Sequence, residues 1–253
     1  MKLTEYKIKN KKFPRKYTFA LISDLHGEDP AEIIDILRKM SPDFILAPGD
    51  IFEPLDGSAD RINEAGFELL AACSEIAPTF FAPGNHEVNA VRSWSLKWKF
   101  SKEKGKDYSR ESMKRLAETG VTFLDDTFTL SHGFAFGGLG SGLINADGLP
   151  KVEFLADFCQ CEAPKILLCH HPEYYKKYLR NYDIDLIVSG HAHGGQWRFF
   201  GRGVFAPGQG LFPKYTSGVH ENRLVVSRGL KKGRRIPRIF NPPEVVKIIV
   251  ESK

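Results

Sequence analysis

Short apolar runs of strand length alternate with helical patterns through the first half of the chain, and that alternation is the tightest constraint on its fold. Residues 17–22, 43–47 and 79–82 are the apolar runs, and residues 32–40 and 61–76 between them carry helical patterning. A β-α-β-α-β order of this kind predicts parallel strands covered by helices, with functional loops at the carboxyl ends of the strands. From Val121 onward the pattern is strand-rich, with runs at 121–124, 127–130, 134–139, 165–169, 185–189, 197–200, 223–227 and 245–250 and a hairpin turn at Glu221-Asn222. The count predicts an α/β fold of two packed mixed β-sheets flanked by helices. Without an internal repeat or a Pro/Gly/Ser linker, residues 1–253 read as a single domain with a basic, aromatic insertion at about 92–115.

Composition narrows the class. With 36 Lys+Arg, 31 Asp+Glu and 42% apolar residues, the chain can bury a sizeable core and is neither disordered, collagen-like nor a disulfide scaffold. Its apolar runs end long before the roughly 18 residues that a membrane-spanning helix needs. The first 16 residues carry seven Lys/Arg and one Glu but no apolar core of a secretory signal, so the expected location is cytoplasmic. Cys73 and Cys169 lie in apolar segments and are expected to be buried thiols. Cys159 and Cys161 are too close for an unstrained disulfide, and no second Cys pair completes a zinc set.

Five predicted strands end in residues that bind cations. Asp24-Leu25-His26 follows the first run, its i, i+2 spacing sending both side chains to one side of an extended chain. Gly49-Asp50 and Gly84-Asn85-His86-Glu87 follow the next two runs, each behind a permissive glycine. His170 ends the 166–169 run, and Gly190-His191-Ala192-His193 ends the 186–189 run. Asp24, His26, Asp50, Asn85, His170, His191 and His193 thus form a set of oxygen and nitrogen donors suited to borderline or hard divalent ions, with no thiolate among them. Seven donors exceed one tetrahedral ion and suffice for two ions sharing a carboxylate, about 3.5–4 Å apart. Gly137-Gly138-Leu139-Gly140 and Gly194-Gly195 lack the nucleotide-binding spacing and read as tight turns at strand ends; no G-x-S-x-G elbow marks a serine nucleophile.

In their order, the D-x-H, G-D, G-N-H-E, H and G-H-x-H blocks resemble those of the calcineurin-like metallophosphoesterase superfamily. The G-H-A-H-G-G-Q stretch at 190–196, S-R-G-L at 227–230 and Asn241-Pro242-Pro243-Glu244 look like the branch of bacterial lipid-linked pyrophosphatases such as UDP-2,3-diacylglucosamine hydrolases. The resemblance implies a four-layer αββα sandwich and a metal-dependent phosphoesterase. It places Asp24, His26, Asp50 and His193 on one ion and Asp50, Asn85, His170 and His191 on the other, with Asp50 bridging. The ions are manganese, iron or zinc, manganese first, and a hydroxide between them is the implied nucleophile. His86 faces the substrate as proton donor or charge stabiliser. Of the adjacent pair, His170 aligns with the family ligand and leaves His171 outside the coordination shell. Glu87 either serves the site or orients a neighbour in its loop.

Substrate choice has three candidate sources. Residues 92–115 hold nine Lys/Arg against three Asp/Glu, with Trp94 and Trp98 among them. Those aromatics either cover the core or form a cap that holds an acyl chain or touches an anionic membrane, alongside the basic N-terminus. Nucleic acid ranks lower, since net charge is only +5 and no nucleic-acid module is present. Arg228 and the Arg234-Arg235 pair read equally as a phosphate clamp or a solvated basic tail. The expected function is therefore binuclear-metal hydrolysis of a phosphodiester or lipid-linked pyrophosphate, peripheral to the inner membrane face, with no obligate protein partner. A soluble nucleotide phosphodiesterase or phosphoprotein phosphatase stands second. A non-catalytic scaffold is disfavoured because every ligand position and His86 are filled.

Overall fold

The computed structural model describes residues 1–53, 63–87, 110–141, 152–233 and 237–252. In chain order the first elements are β1 (Lys2–Lys9), β2 (Tyr17–Leu21), α1 (Ala31–Met40), β3 (Phe44–Pro48), α2 (Glu64–Ile76), β4 (Thr79–Ala82), α3 (Arg110–Glu118) and β5 (Thr122–Phe123). Next come β6 (Thr127–Ser131), β7 (Phe134–Leu139), α4 (Leu155–Gln160), β8 (Lys165–Cys169) and β9 (Leu186–Ser189). Two small hairpins, β10 (Arg198–Phe199) with β11 (Arg202–Gly203) and β12 (Phe205–Ala206) with β13 (Gly210–Leu211), precede β14 (Gly218–His220), β15 (Leu224–Val226) and β16 (Glu244–Glu251).

Two six-stranded sheets result, in the orders β1-β16-β2-β3-β4-β5 and β14-β15-β9-β8-β7-β6. Strands β2 to β5 run parallel, as do β7, β8, β9 and β15. Both sheets are mixed, because β16 is antiparallel to β2 and the hairpin strands β6 and β14 are antiparallel to their neighbours.

Period-two alternation builds the layers. Phe19 and Leu21 of β2, Phe44 and Leu46 of β3, and Phe80 of β4 face inward to meet Phe134, Phe136, Ile166 and Leu168 of the second sheet. Phe80 and Phe136 stack across this interface with ring centroids 3.6 Å apart. Alternate residues Ala20, Ile45, Ala47 and Phe81 face the other way, against Ile33 and Leu37 of α1 and Leu69, Leu70 and Cys73 of α2. The outer face of the second sheet packs Leu167, Cys169, Ile187 and Val226 beneath Leu155 and Phe158 of α4. The outcome is the expected sandwich, helices outside and sheets inside.

Local chemistry sets the element ends. Asn63 caps α2 by accepting from the Ala65 amide at 2.8 Å. Acidic Glu32 in the first turn of α1 and basic Arg38 and Lys39 in its last complement the helix dipole. Glu221 and Asn222 both hold positive φ, 49° and 54°, making the tight turn expected between β14 and β15.

Two expectations need correction, and one strand was not expected. Residues 2–9 of the basic N-terminus form β1, paired in parallel with β16 at a sheet edge, where lysines are tolerated because one flank is open. Gly137 and Gly138 are not a turn but lie inside β7; a Cβ on Gly138 would meet the Leu124 carbonyl oxygen at 2.3 Å, so close backbone approach explains the residue. The run at 197–200 contributes only the two-residue strand β10 of a peripheral hairpin. Cys73 and Cys169 are buried free thiols as expected, and Cys159 and Cys161 are also unpaired. Trp94, Trp98, Arg234 and Arg235, and most of the 92–115 insertion, lie outside the described residues.

Candidate metal centre

The carboxyl ends of β2, β3, β4, β8 and β9 converge, and each delivers its polar cluster to the same place. Asp24, His26 and His193 each offer a ligand atom within 4.8 Å of the others, and Asp50, His170 and His191 do the same. The first triad takes two residues from the first sheet and one from the second; the second triad takes one and two. Asp50 stands between them, its Oδ2 lying 3.1 Å from His170 Nε2 and 3.6 Å from His26 Nε2.

The backbone is bent to bring this about. Asp24, His26, Asp50, His191 and His193 all occupy the left-handed region, with φ between 45° and 62°. Asp and His enter that region more readily than most residues, and a cluster of such conformations costs of order 1–3 kcal/mol per residue unless the surroundings enforce it. Glycines supply the clearance. A Cβ on Gly84 would lie 2.2 Å from Asp50 Oδ1, and one on Gly190 would lie 2.5 Å from Asp24 Oδ2.

Outer hydrogen bonds orient the donors. His170 Nδ1 lies 2.7 Å from the Pro48 carbonyl, to which it donates, leaving Nε2 to face Asp50. Asp24 accepts from Ser23 Oγ at 2.6 Å and from the His191 amide at 3.0 Å. Asp50 Oδ1 accepts from the His86 amide at 2.9 Å. His26 Nε2, His170 Nε2 and Asn85 Oδ1 are buried without any hydrogen-bond partner. Buried polar atoms are normally satisfied, so three unpartnered donors and acceptors converging beside two carboxylates fit a cation-binding site.

Charge in the pocket is strongly organised. Burial opposes ionisation of Asp50, yet His170 and His86 hold its carboxyl well below the usual range. Burial likewise disfavours the His170 cation, but Asp50 and Asp24 carry its pKa up to about 10. His191 is driven well below its ordinary value by burial and by His171, and burial takes His193 down to about 3. Those two rings are neutral at pH 7, the state a metal ligand requires.

Glu53 and Arg238 escape the sequence patterns, whereas Glu87 and His171 do not. Glu53, three residues beyond Asp50, brings Oε2 to 2.7 Å from His26 Nδ1 and 3.2 Å from His86 Nδ1, bridging a candidate ligand and the candidate acid. Glu87 turns into the protein and accepts backbone N–H groups from Gly84 at 2.6 Å and from Asp50 and Phe52 at 2.9 Å each, so it ties the β3 and β4 ends together. Burial and the nearby Asp50 push its carboxyl up to about 7. His171 shares a 2.5 Å hydrogen bond with Ser141 Oγ and sits 3.2 Å from Glu173, beside rather than within the Asp50 triad. Arg228 departs from the clamp expectation: its guanidinium is buried against Glu244 and also donates to Thr4 Oγ1 at 3.3 Å. Among the described residues the arginine that reaches the centre is Arg238, 3.3 Å from His193 Nδ1 and anchored on the Arg228 carbonyl at 2.7 Å. No local motif distinguished it from the neighbouring basic residues.

The family model for the calcineurin-like phosphoesterases matches residues 17–195, which takes in every strand end that carries a candidate ligand. The chain belongs to that family and is a phosphoester hydrolase by membership. An uncharacterised metallophosphoesterase of Aquifex aeolicus is 23% identical over 273 residues, spanning 100% of this chain and 93% of that protein. The phosphodiesterase YaeI of Escherichia coli is 26% identical over 201 residues, 76% of this chain and 64% of that protein. The UDP-2,3-diacylglucosamine pyrophosphatase LpxG of Chlamydia muridarum is 38% identical over 92 residues, 32% of this chain and 27% of that protein. Among the described residues no helix is long and apolar enough to cross a membrane.

Proposed function

We propose that the protein is a binuclear-metal phosphohydrolase that cleaves a phosphodiester or a lipid-linked pyrophosphate. The observation that carries this reading is that two of the four three-residue groups of possible ligands among the described residues, Asp24-His26-His193 and Asp50-His170-His191, adjoin at Asp50, with His26 Nε2, His170 Nε2 and Asn85 Oδ1 buried and unpartnered. Asp24, His26, Asp50 and His193 would hold one divalent cation and Asp50, Asn85, His170 and His191 the other, manganese being the first candidate. When bound, such ions activate water and neutralise charge developing on phosphoryl oxygens.

The chain supplies positioning and a proton. His86 projects beside Asp50, with Nε2 3.9 Å from Oδ2. Burial favours its neutral form, but Asp50 and Glu53 raise its pKa above the ordinary value, which favours the protonated ring that a proton donor to the leaving oxygen requires. Glu53 places its Oε2 3.2 Å from Nδ1 of that ring, a carboxylate beside the imidazole that favours its protonated form. Arg238, next to His193, adds fixed positive charge where phosphate oxygens gather. The lipid-linked substrate is supported by the G-H-A-H-G-G-Q stretch and by the match to LpxG. Because the ligands come from both sheets, we also read the chain as one domain.

The test is metal content by mass spectrometry together with hydrolysis of a phosphodiester, a phosphomonoester and a lipid-linked pyrophosphate. Near two metals per chain and selective turnover of a diester or pyrophosphate are expected. A protein that takes up no manganese, iron or zinc and turns over none of the three substrates would sink the reading.

A further inference from the structure

Beyond the metal centre the least ordinary surface is apolar. Most exposed hydrophobics on a protein are scattered, whereas here they gather on the two small hairpins and the segment facing them. Phe200 is fully exposed at the tip of the β10–β11 hairpin, where it and Gly201 take φ of 50° and 78° in a tight turn. Phe205 and Leu211 are cross-strand partners in the β12–β13 hairpin and both are exposed; Phe212, 79% exposed, follows them. Phe240, 77% exposed, packs edge-on against the exposed Phe199 with centroids 6.1 Å apart. The two hairpins are joined through Val204, whose amide donates to the Trp197 carbonyl and whose carbonyl accepts from the Phe212 amide at 2.8 Å. None of these rings is buried against the body of the fold.

The stretch that carries these rings is basic. Residues 186–243 contain ten Lys/Arg and a single acidic residue, Glu221, although the whole chain carries a net charge of only +5. Arg202 lies on β11 and Lys214 two residues beyond Phe212, both exposed, while Glu173 from outside the stretch lies against Gly208 of the β12–β13 turn. The patch also borders the candidate centre: β10 follows His193 by five residues, and Arg238, two residues before Phe240, touches the His193 ring.

We propose that this face docks on an anionic lipid bilayer, the hairpin-tip rings entering the interface while Arg202 and Lys214 meet the headgroup phosphates. Apolar side chains on protruding turns, flanked by cations, match a membrane surface, where burial of rings and attraction to anionic lipid act together. A second copy of the chain is a poor occupant, because a symmetric contact would set this basic face against itself. Single-stranded nucleic acid would use rings as stacking platforms, but Leu211 has no ring to offer and Phe200 sits on a turn tip rather than along a groove. Docking here would bring phosphate-bearing headgroups beside the metal ligands. The surface is inferred from its own exposure and charge and does not depend on the hydrolase reading.

Flotation of the full chain with vesicles tests it directly. The protein is expected to float with phosphatidylcholine vesicles containing roughly 30% phosphatidylglycerol and to stay down with phosphatidylcholine alone or at high salt. Changing Phe200, Phe212 and Phe240 together to Ser is expected to weaken binding at least about tenfold. Hydrolysis of a small soluble phosphodiester and the thermal midpoint of that variant should match wild type, which keeps loss of docking separate from loss of folding or chemistry. A second variant, R202E with K214E, keeps the rings and should lose anionic-vesicle binding alone. Wild type that never floats, or a triple variant that floats as well as wild type, would overturn the proposal. So would tighter binding to single-stranded DNA than to anionic vesicles, or a dimer that the triple change dissolves.

Discussion

The two sheets make unequal contributions to the candidate centre. From the first come both carboxylates of the two clusters that meet at Asp50, Asp24 and Asp50, with Glu53 and Glu87 behind them, together with His26, Asn85 and His86. The second contributes imidazoles alone to those two clusters, His170, His191 and His193, and holds its own carboxylate, Glu173, in a separate group with His171 and His191. Neither half by itself assembles the two clusters that meet at Asp50. Only the packing of Phe80 on Phe136 and its neighbours brings the halves within reach of each other. The architecture therefore couples chemistry to the inter-sheet core, and the coupling can be tested from either side.

The largest effect is expected at Asp50, the carboxylate that approaches imidazoles of both clusters. Asp50→Asn keeps the shape and removes the charge, so metal content should fall to near zero and turnover by at least about a thousandfold, beyond the 10–100-fold typical of outer-shell partners. Normal metal content in that variant would break the assignment of the first sheet as the source of charge. His170→Ala and His171→Ala make the matching comparison on the second sheet. His170 lies 3.1 Å from Asp50, so its loss should abolish uptake at one of two sites. His171 contacts Ser141 and Glu173 instead, and its variant should keep both metals with affinity lowered about tenfold. The reverse pattern, metal lost with His171 alone, would exchange their roles.

Much of this was legible before any coordinates, for a physical reason. A strand end that must turn sharply and present a ligand uses Gly beside Asp, Asn or His, because those residues tolerate left-handed backbone, and five such ends leave a repeated mark. What was illegible depends on contacts across the fold. Glu53 looks like an ordinary loop acid until it is seen between two histidines, whereas Glu87, beneath three backbone amides, takes the orienting role that its motif already allows. Arg238 is one of several basic residues in its stretch, and only the bend of the 237–240 segment selects it over Arg228, which a buried glutamate claims. The strand β1 was hidden because lysines at alternate edge positions mimic a basic tail. Phe199 and Phe200 pattern as part of a strand run at 197–200 because apolar residues in sequence carry no record of which face has a partner.

Glu53 allows a finer test within the first sheet. It forms a separate group of possible ligands with His26 and His86, outside the two that adjoin at Asp50, so Glu53→Gln should retain metal at those two and lower kcat by about a hundredfold with little change in KM, the size expected when a general acid loses its orienting partner. His86→Ala should lower kcat to a similar extent, and the double variant should be no worse than either alone, since the two act as one unit. Additive losses would mean that Glu53 acts through His26 instead, and metal content measured on the same samples would show that difference.

The smallest effect on chemistry is expected from the core that joins the sheets. Phe136 is fully buried and stacked on Phe80, so Phe136→Leu should cost about 1–2 kcal/mol of stability through lost ring contacts and a partly filled cavity. Cooperative packing transmits such a loss to the folded fraction rather than to the geometry of a well-supported site, which here is held by Glu87, Pro48 and Ser23. Well below the melting temperature the variant should therefore bind two metals and show an unchanged kcat, with only its thermal midpoint lowered. A variant that stays folded yet loses the second-sheet metal would show that the sheets are held in register by this contact itself, and that the imidazole half of the centre moves relative to the carboxylate half when the stack is weakened.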